Sequence, residues 1–216
     1  HDDYPAHGLA RYFRWELIEA GRFKNGDVKI VIRLASENHP LIEEMWPLAF
    51  ELRQVFRLSS KGFSINFSAA NLSDKSMPIS EALHTYFNVA NNQVAEVHGL
   101  EQVTYVDKLD NNSRQKSDSL VTPCESMDRV YVSSPEEYEI HDPVFNRRLV
   151  MQVEGSQSTV LWNPGPELTK LRTDMEDDEY RRFVCVEAAN VLTDAYEISP
   201  GAIHQLKLKV RHKPLT

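Results

Sequence analysis

Glu81-Ala82-Leu83-His84-Thr85-Tyr86-Phe87-Asn88-Val89 is an apolar, aromatic run of strand-like composition with one imidazole set into it. Read with a period of two, Leu83, Thr85, Phe87 and Val89 share one side, and His84, Tyr86 and Asn88 share the other. The second side then carries a titratable ring, a phenol and an amide in a row on a rigid element. Such a row suits a sugar cleft: an aromatic body for the ring, hydrogen-bonding groups for hydroxyls, and one group that exchanges a proton near neutral pH. A histidine satisfied within a strand is the competing reading of the same residues.

Outward from this run, strand signals recur at short spacing and helical ones are scarce. Val28 to Leu34 is a compact β-branched run, and Phe63 to Ser68 alternates with Phe63, Ile65 and Phe67 on its apolar side. Arg148 to Val153 and Thr159 to Trp162 are further strands. Phe183-Val184-Cys185-Val186-Glu187 is mostly apolar on both faces, as a central strand should be. The last strand, Ile203 to Val210, places His204 among Leu206, Leu208 and Val210, where it reads as structural. Turns are expected at Asn25-Gly26-Asp27, Ser60-Lys61-Gly62, His141-Asp142-Pro143 and Ser199-Pro200-Gly201. Asp110 to Ser119 reads as a solvated loop. A short helix with an exposed loop is expected from Leu168 through the acidic patch Asp174 to Glu179. Many short strands without alternating helices predict an all-β chain, a large antiparallel β-sandwich. One domain spanning residues 1–216, with no internal linker, is the economical reading.

Composition narrows the function. A chain of 216 residues, 41% hydrophobic, is long enough for a buried core, and no apolar run approaches membrane-spanning length. A net charge of −8 argues against a nucleic-acid or anionic-membrane partner. Cys124 and Cys185 make neither a disulfide framework nor a C-x-x-C pair, which favours a reducing, cytoplasmic compartment. The chain opens on His1-Asp2-Asp3-Tyr4-Pro5 without methionine, so an upstream segment is expected.

Several residues bear chemistry. Glu187 ends its apolar run, where a carboxylate is costly to bury without partners or a raised pKa, and both conditions suit a general base. A glutamate at an exposed strand end is the bland alternative. Trp162, before Asn163-Pro164-Gly165, either walls a sugar or fills the core, and core is the safer reading. Asp128 can accept hydrogen bonds from hydroxyls, or pair with neighbouring Arg129 at the surface. His7-Gly8-Leu9-Ala10-Arg11 combines a glycine that permits close backbone approach with a cation suited to phosphate. His1, Asp2, Asp3 and His7 could clip a metal, but a terminal tract rich in such residues is the plainer account. Cys185 lacks the positive flank of a reactive thiolate and reads as buried and inert. Nucleophile elbow, phosphate loop and dinucleotide fingerprint are all absent.

Taken in order, His7-Gly8-Leu9-Ala10-Arg11, Leu83-His84-Thr85-Tyr86-Phe87, Tyr105-Val106-Asp107-Lys108, Asp128-Arg129-Val130-Tyr131, Trp162-Asn163-Pro164 and Phe183-Val184-Cys185-Val186-Glu187-Ala188 form a specific set. This set resembles the galactose-mutarotase-like superfamily and, within it, the glucose-6-phosphate 1-epimerases (hexose-6-phosphate mutarotases). The resemblance implies His84 as catalytic acid and Glu187 as catalytic base. It also implies Arg11, Asp128 and, less directly, His7 as substrate contacts. A sugar phosphate is the implied partner, with no cofactor and no metal, and the expected state is a monomer. Ala6 departs from the glutamine common before the family's H-G pair, and a further phosphate-binding arginine belongs to the upstream part of longer members. An aldose 1-epimerase acting on unphosphorylated sugar and a non-catalytic carbohydrate-binding protein on the same fold are the alternatives.

Overall fold

The computed structural model describes residues 5, 7–37, 39–123 and 126–215. His1, Asp2, Asp3, Ala6 and Cys124 therefore lie outside the described residues. The chain divides into two compact units, His1–Ile79 with Tyr196–Lys207, and Ser80–Ala195 with Leu208–Thr216.

The first unit is built on β1 (Glu16–Arg22), β2 (Val28–Ala35), β3 (Phe50–Ser59) and β4 (Gly62–Asn71), an antiparallel meander, followed by the short β5 (Met77–Ile79). The Asn25-Gly26-Asp27 turn forms as expected: Phe23 N–H donates to Asp27 O at 2.8 Å, and Gly26 takes φ 91°, which glycine adopts without strain. Ser60-Lys61 closes the β3–β4 hairpin with Ser59 opposite Gly62. A one-turn helix, α1 (Pro40–Met45), was not signalled by the sequence. Neither was β1, whose residues are all exposed; backbone pairing to β2 holds it, and no apolar alternation announces it.

The second unit carries β6 (Glu81–Leu83), β7 (Tyr86–Asn88), β8 (Glu96–His98), β9 (Thr104–Asp107), β10 (Ser113–Lys116), β11 (Met127–Val132), β12 (Glu137–Asp142), β13 (Arg147–Glu154), β14 (Ser158–Asn163) and β15 (Phe183–Asn190). Strands β10-β9-β11-β14-β15 lie side by side, with β6 and β7 both on the far edge of β15. A second antiparallel group, β13-β12-β8, is tied to the end of β7 by Ala90 N–H donating to Asp142 Oδ2 at 3.1 Å. Every residue of β15 is buried, as its two-sided apolar pattern predicts. The expected loop over residues 110–119 is corrected: β10 lies inside it, turning from β9 through Asn111 and Asn112 at φ 48° and 58°. Consecutive asparagines tolerate the two positive-φ positions of such a hairpin turn. The turn expected at His141-Asp142-Pro143 falls slightly later, since β12 continues to Asp142 and Asn146 N–H closes on Pro143 O.

The expected helix is α2 (Gly165–Lys170), which starts and stops before the residues anticipated, and a 3₁₀ turn follows at Glu179–Arg182. Strand β16 (Tyr196–Ile198) pairs with β5, and β17 (Ile203–Pro214) closes the chain. In β17 His204, Leu206, Leu208 and Val210 are buried while Ile203, Gln205 and Lys209 are exposed. His204 stacks on Tyr196, centroids 4.4 Å apart, in keeping with its structural reading. No helix among the described residues is long and apolar enough to cross a membrane.

Candidate active site

The opening run is two short strands, not one. Leu83 pairs with Ala188 and Tyr86 with Cys185, so the interval on one side is His84-Thr85 and on the other Val186-Glu187. Register is kept across the interruption, which brings His84 opposite Glu187. Thr85 N–H turns back to Leu83 O at 2.8 Å, and its hydroxyl donates to the same oxygen, so the chain kinks where the imidazole projects. The period of two otherwise holds: Leu83, Phe87 and Val89 are buried, Tyr86 and Asn88 are exposed, and His84 is half-buried.

His84 Nδ1 stands 3.4 Å from Glu187 Oε1. Glu187 is only 4% exposed, inside β15 and not at a frayed end. Its neighbours across the sheet on the same face are Val160 and then Val130, which withhold water from the carboxylate. Burial, reinforced by the nearby Asp128 charge and opposed by Lys108, pushes the Glu187 carboxyl up from 4.5 to about 8. Cys185, one position along that face, is completely buried, and its thiol is pushed up first by burial and then by Glu187. Its sulfur thus stays protonated, the inert role expected of it. The donor atoms of His84, Cys185 and Glu187 all lie within 4.8 Å of one another, but a protonated thiol is a poor metal ligand, and the set is organised around protons.

Aromatic rings frame the pair. Tyr86 stacks on His84 at 5.0 Å, Trp162 meets both rings edge-on at 5.7 and 6.2 Å, and Phe183 lies 5.1 Å from Tyr86. Trp162 is therefore half-buried at the site, and the core reading of this residue is corrected: Asp128, Trp162, Cys185 and Tyr86 form one cross-strand row on the His84 face. The Arg172 guanidinium lies 5.9 Å from the Trp162 ring. Beside the row, Tyr86, Asn88, Glu179, Arg182 and Phe183 line an open cleft of about 360 Å³.

Buried amides hold this wall in place. Asn163 Nδ2 donates to Tyr180 O and Phe183 O, both at 2.9 Å, while its Oδ1 accepts from Gly165 N–H at 2.9 Å. Asn92 Nδ2 reaches the same Tyr180 carbonyl at 3.0 Å. Gly165 sits at φ 64°, and a Cβ there would fall 2.0 Å from Ser126 Oγ, so only glycine fits. Asn163→Ala removes three buried hydrogen bonds and should cost about 3 kcal/mol in urea unfolding, because Phe183 O and Gly165 N–H lose the amide while Tyr180 O keeps only Asn92. A loss below about 1 kcal/mol would show that this corner is not held by the amide.

Of the residues expected at the site, His84, Glu187 and Asp128 come together in the second unit. Asp128 lies within β11, not ahead of it, and Arg129 on the opposite face pairs with Asp107 at 3.4 Å and covers the Tyr105 ring at 4.6 Å. His7 and Arg11 belong to the first unit. His7 takes φ 65° in a turn, Gly8 N–H donates to Pro5 O, and the exposed Arg11 guanidinium lies 5.6 Å from the Tyr12 ring. Lys108, Arg172 and Phe183 were not singled out as site residues from sequence; strand alternation marks a face but not which distant strands adjoin it. Glu81, a further buried carboxyl on β6, is pushed up to about 7 by burial and likewise escaped notice.

Comparison with known proteins bears on the family and the fold. The family model described as aldose 1-epimerase matches residues 1–211. A protein of Escherichia coli (strain K12), provisionally named glucose-6-phosphate 1-epimerase, is 33% identical over 187 residues, covering 86% of this chain and 60% of that protein. Its provisional namesake in Salmonella typhimurium is 31% identical over 205 residues, covering 93% and 66%. The chain thus spans somewhat under two thirds of the length of these curated relatives. A crystal structure of a provisionally named mutarotase from Salmonella typhimurium superposes with a TM-score of 0.88 at 28% identity, over 99% of this chain and 70% of that one. Slr1438 from Synechocystis sp. PCC 6803 shares the fold, with a TM-score of 0.80 at 19% identity. The ordered motifs and the antiparallel architecture lead to one conclusion: the chain belongs to the aldose 1-epimerase family.

Proposed function

We propose that this chain interconverts the α and β anomers of a hexose, with hexose 6-phosphate as its preferred substrate. The observation that carries this reading is a carboxyl buried in an apolar strand, raised towards neutral pH, and 3.4 Å from an imidazole on an aromatic-walled face. Glu187 takes the proton from the C1 hydroxyl, the C1–O5 bond breaks with its electron pair going to O5, and His84 delivers a proton there. The aldehyde rotates about C1–C2. His84 then recovers the proton as O5 attacks the other carbonyl face, and Glu187 returns its proton to the C1 oxygen, leaving both groups as they began. The scheme needs two groups sharing one mobile proton, each contributing about 10²–10⁴-fold. Asp128 is assigned to sugar hydroxyls, and its charge helps raise Glu187. A binder has no need of the pair, which favours catalysis over a purely carbohydrate-binding role. The proposed setting is a single epimerase domain, monomeric, in the cytoplasm.

Phosphate preference rests on the names of the relatives and on Arg11, whose fork of donors suits a phosphate dianion better than a neutral hydroxyl. Polarimetric relaxation of freshly dissolved α-glucose 6-phosphate should therefore be accelerated more than that of α-glucose. Arg11→Ala should narrow the gap by about tenfold, and added salt should weaken only the ester. Equal acceleration of both sugars, measured with the remaining length of the longer relatives supplied, would replace the phosphate-specific reading with a general aldose epimerase.

A further inference from the structure

Away from the His84 face, the second unit holds another concentration of imidazoles and carboxylates that the epimerisation does not use. Strands β8 and β12 are antiparallel, with Glu96 opposite His141 and His98 opposite Glu139. All four side chains share one face, because Val97 and Ile140, the residues between them, are completely buried on the other. The result is a checkerboard, imidazoles on one diagonal and carboxylates on the other. The two rings stack with centroids 3.8 Å apart. His98 Nε2 lies 3.0 Å from Glu96 Oε2, and His141 Nε2 lies 2.7 Å from Glu139 Oε2.

Three of these residues, Glu96, His98 and His141, each place one donor atom within 4.8 Å of the others. Small side-chain rotations bring such a triad to the roughly 2.0–2.2 Å distances of zinc–nitrogen and zinc–oxygen bonds. Glu139 stands behind His141 and is braced by Arg148 Nη1 at 3.3 Å, the arrangement in which a carboxylate fixes the tautomer of a ligating histidine. With neutral imidazoles, the two carboxylates and Arg148 leave a net negative charge facing solvent, attractive to a cation. Two imidazoles in a triad select zinc-like ions over magnesium or calcium, which prefer oxygen alone.

We propose that Glu96, His98 and His141 bind a zinc ion, with Glu139 orienting His141, and that this ion clips β8 to β12. Strand β8 has reason to be clipped: it is only three residues long and ends its sheet, with a single bridge from Val97 to Val121 on its outer side. Binding puts the ion on the nitrogen that His98 turns towards Glu96, with the neutral ring keeping its one proton on Nδ1, and changes no oxidation state.

Calorimetric titration of the chain with zinc chloride at pH 7.5 tests this. One zinc per chain is expected, with affinity falling at least tenfold in His98→Gln and in His141→Gln and unchanged in Glu187→Gln. Zinc should raise the thermal midpoint of the wild type and not that of the double variant. Because a variant can fail to fold, ring resonances of the wild type are followed by NMR: those of His98 and His141 should shift together at one equivalent. No binding by the wild type, binding that survives in the double variant, or loss in Glu187→Gln with the His84 ring shifting instead, would each overturn the assignment.

Discussion

Glu187→Gln should lower kcat by at least 10²–10⁴-fold while leaving KM for the sugar within a few-fold, since glutamine keeps shape and hydrogen bonding but cannot accept the C1 hydroxyl proton. The same substitution should stabilise the fold at alkaline pH. The Glu187 carboxyl titrates near 8 when folded, against 4.5 ordinarily, so the folded chain holds a proton that the unfolded chain has lost. Stability therefore declines as pH rises from about 4.5 to 8, and the full cost of burying the charge is present above pH 8. Glutamine removes that cost, a gain on the order of 4 kcal/mol above pH 8 and none below pH 4. Urea unfolding at pH 5 and pH 9 measures it. A variant with wild-type turnover, or with no pH-dependent gain, would return Glu187 to the role of an ordinary strand residue.

His84→Ala should reduce turnover by a similar 10²–10⁴-fold with the fold intact, because the ring is half-buried at a kink and the buried sides of β6 and β7 are supplied by Leu83 and Phe87. His84→Gln should be equally poor, since an amide does not exchange protons near neutral pH. In the wild type, kcat/KM should follow a bell-shaped pH profile whose limbs belong to the coupled pair and to neither residue alone. Its acid limb should lie well above the ordinary glutamate range, since burial raises Glu187. An acid limb near 4, or near-normal turnover in both His84 variants, would remove the imidazole–carboxyl pair from the mechanism.

The proposed catalytic pair was legible because its two strands announce themselves locally. Alternation around His84 and the two-sided apolar run ending at Glu187 are short-range patterns, and both elements form where those patterns lie. Other features depend on long-range register. That Trp162 stands beside Cys185 and Asp128 beside Trp162 follows from which strands pair, and no window around Trp162 contains that information. The bland core reading of the indole fails for this reason. The exposed strands β1 and β10 escaped for another: backbone hydrogen bonds to one neighbour hold them, and solvent on their side chains erases the hydrophobic period. The break at His84-Thr85 is invisible in a run whose alternation continues straight through it. Electrostatic neighbours such as Lys108 at the end of β9 share the limit, for their influence on Glu187 crosses strands far apart in sequence.

The most direct measurement is magnetisation-transfer NMR on the equilibrated anomers of glucose 6-phosphate. Saturating the α-anomeric proton in the presence of the wild-type chain should attenuate the β-anomeric signal, with an exchange rate that scales with protein concentration. The Glu187→Gln and His84→Ala proteins, folded and at equal concentration, should leave exchange at the protein-free rate. Exchange that stays at the protein-free rate with the wild type, once the remaining length of the longer relatives is supplied, would contradict the assignment of anomer interconversion to the pair at His84 and Glu187.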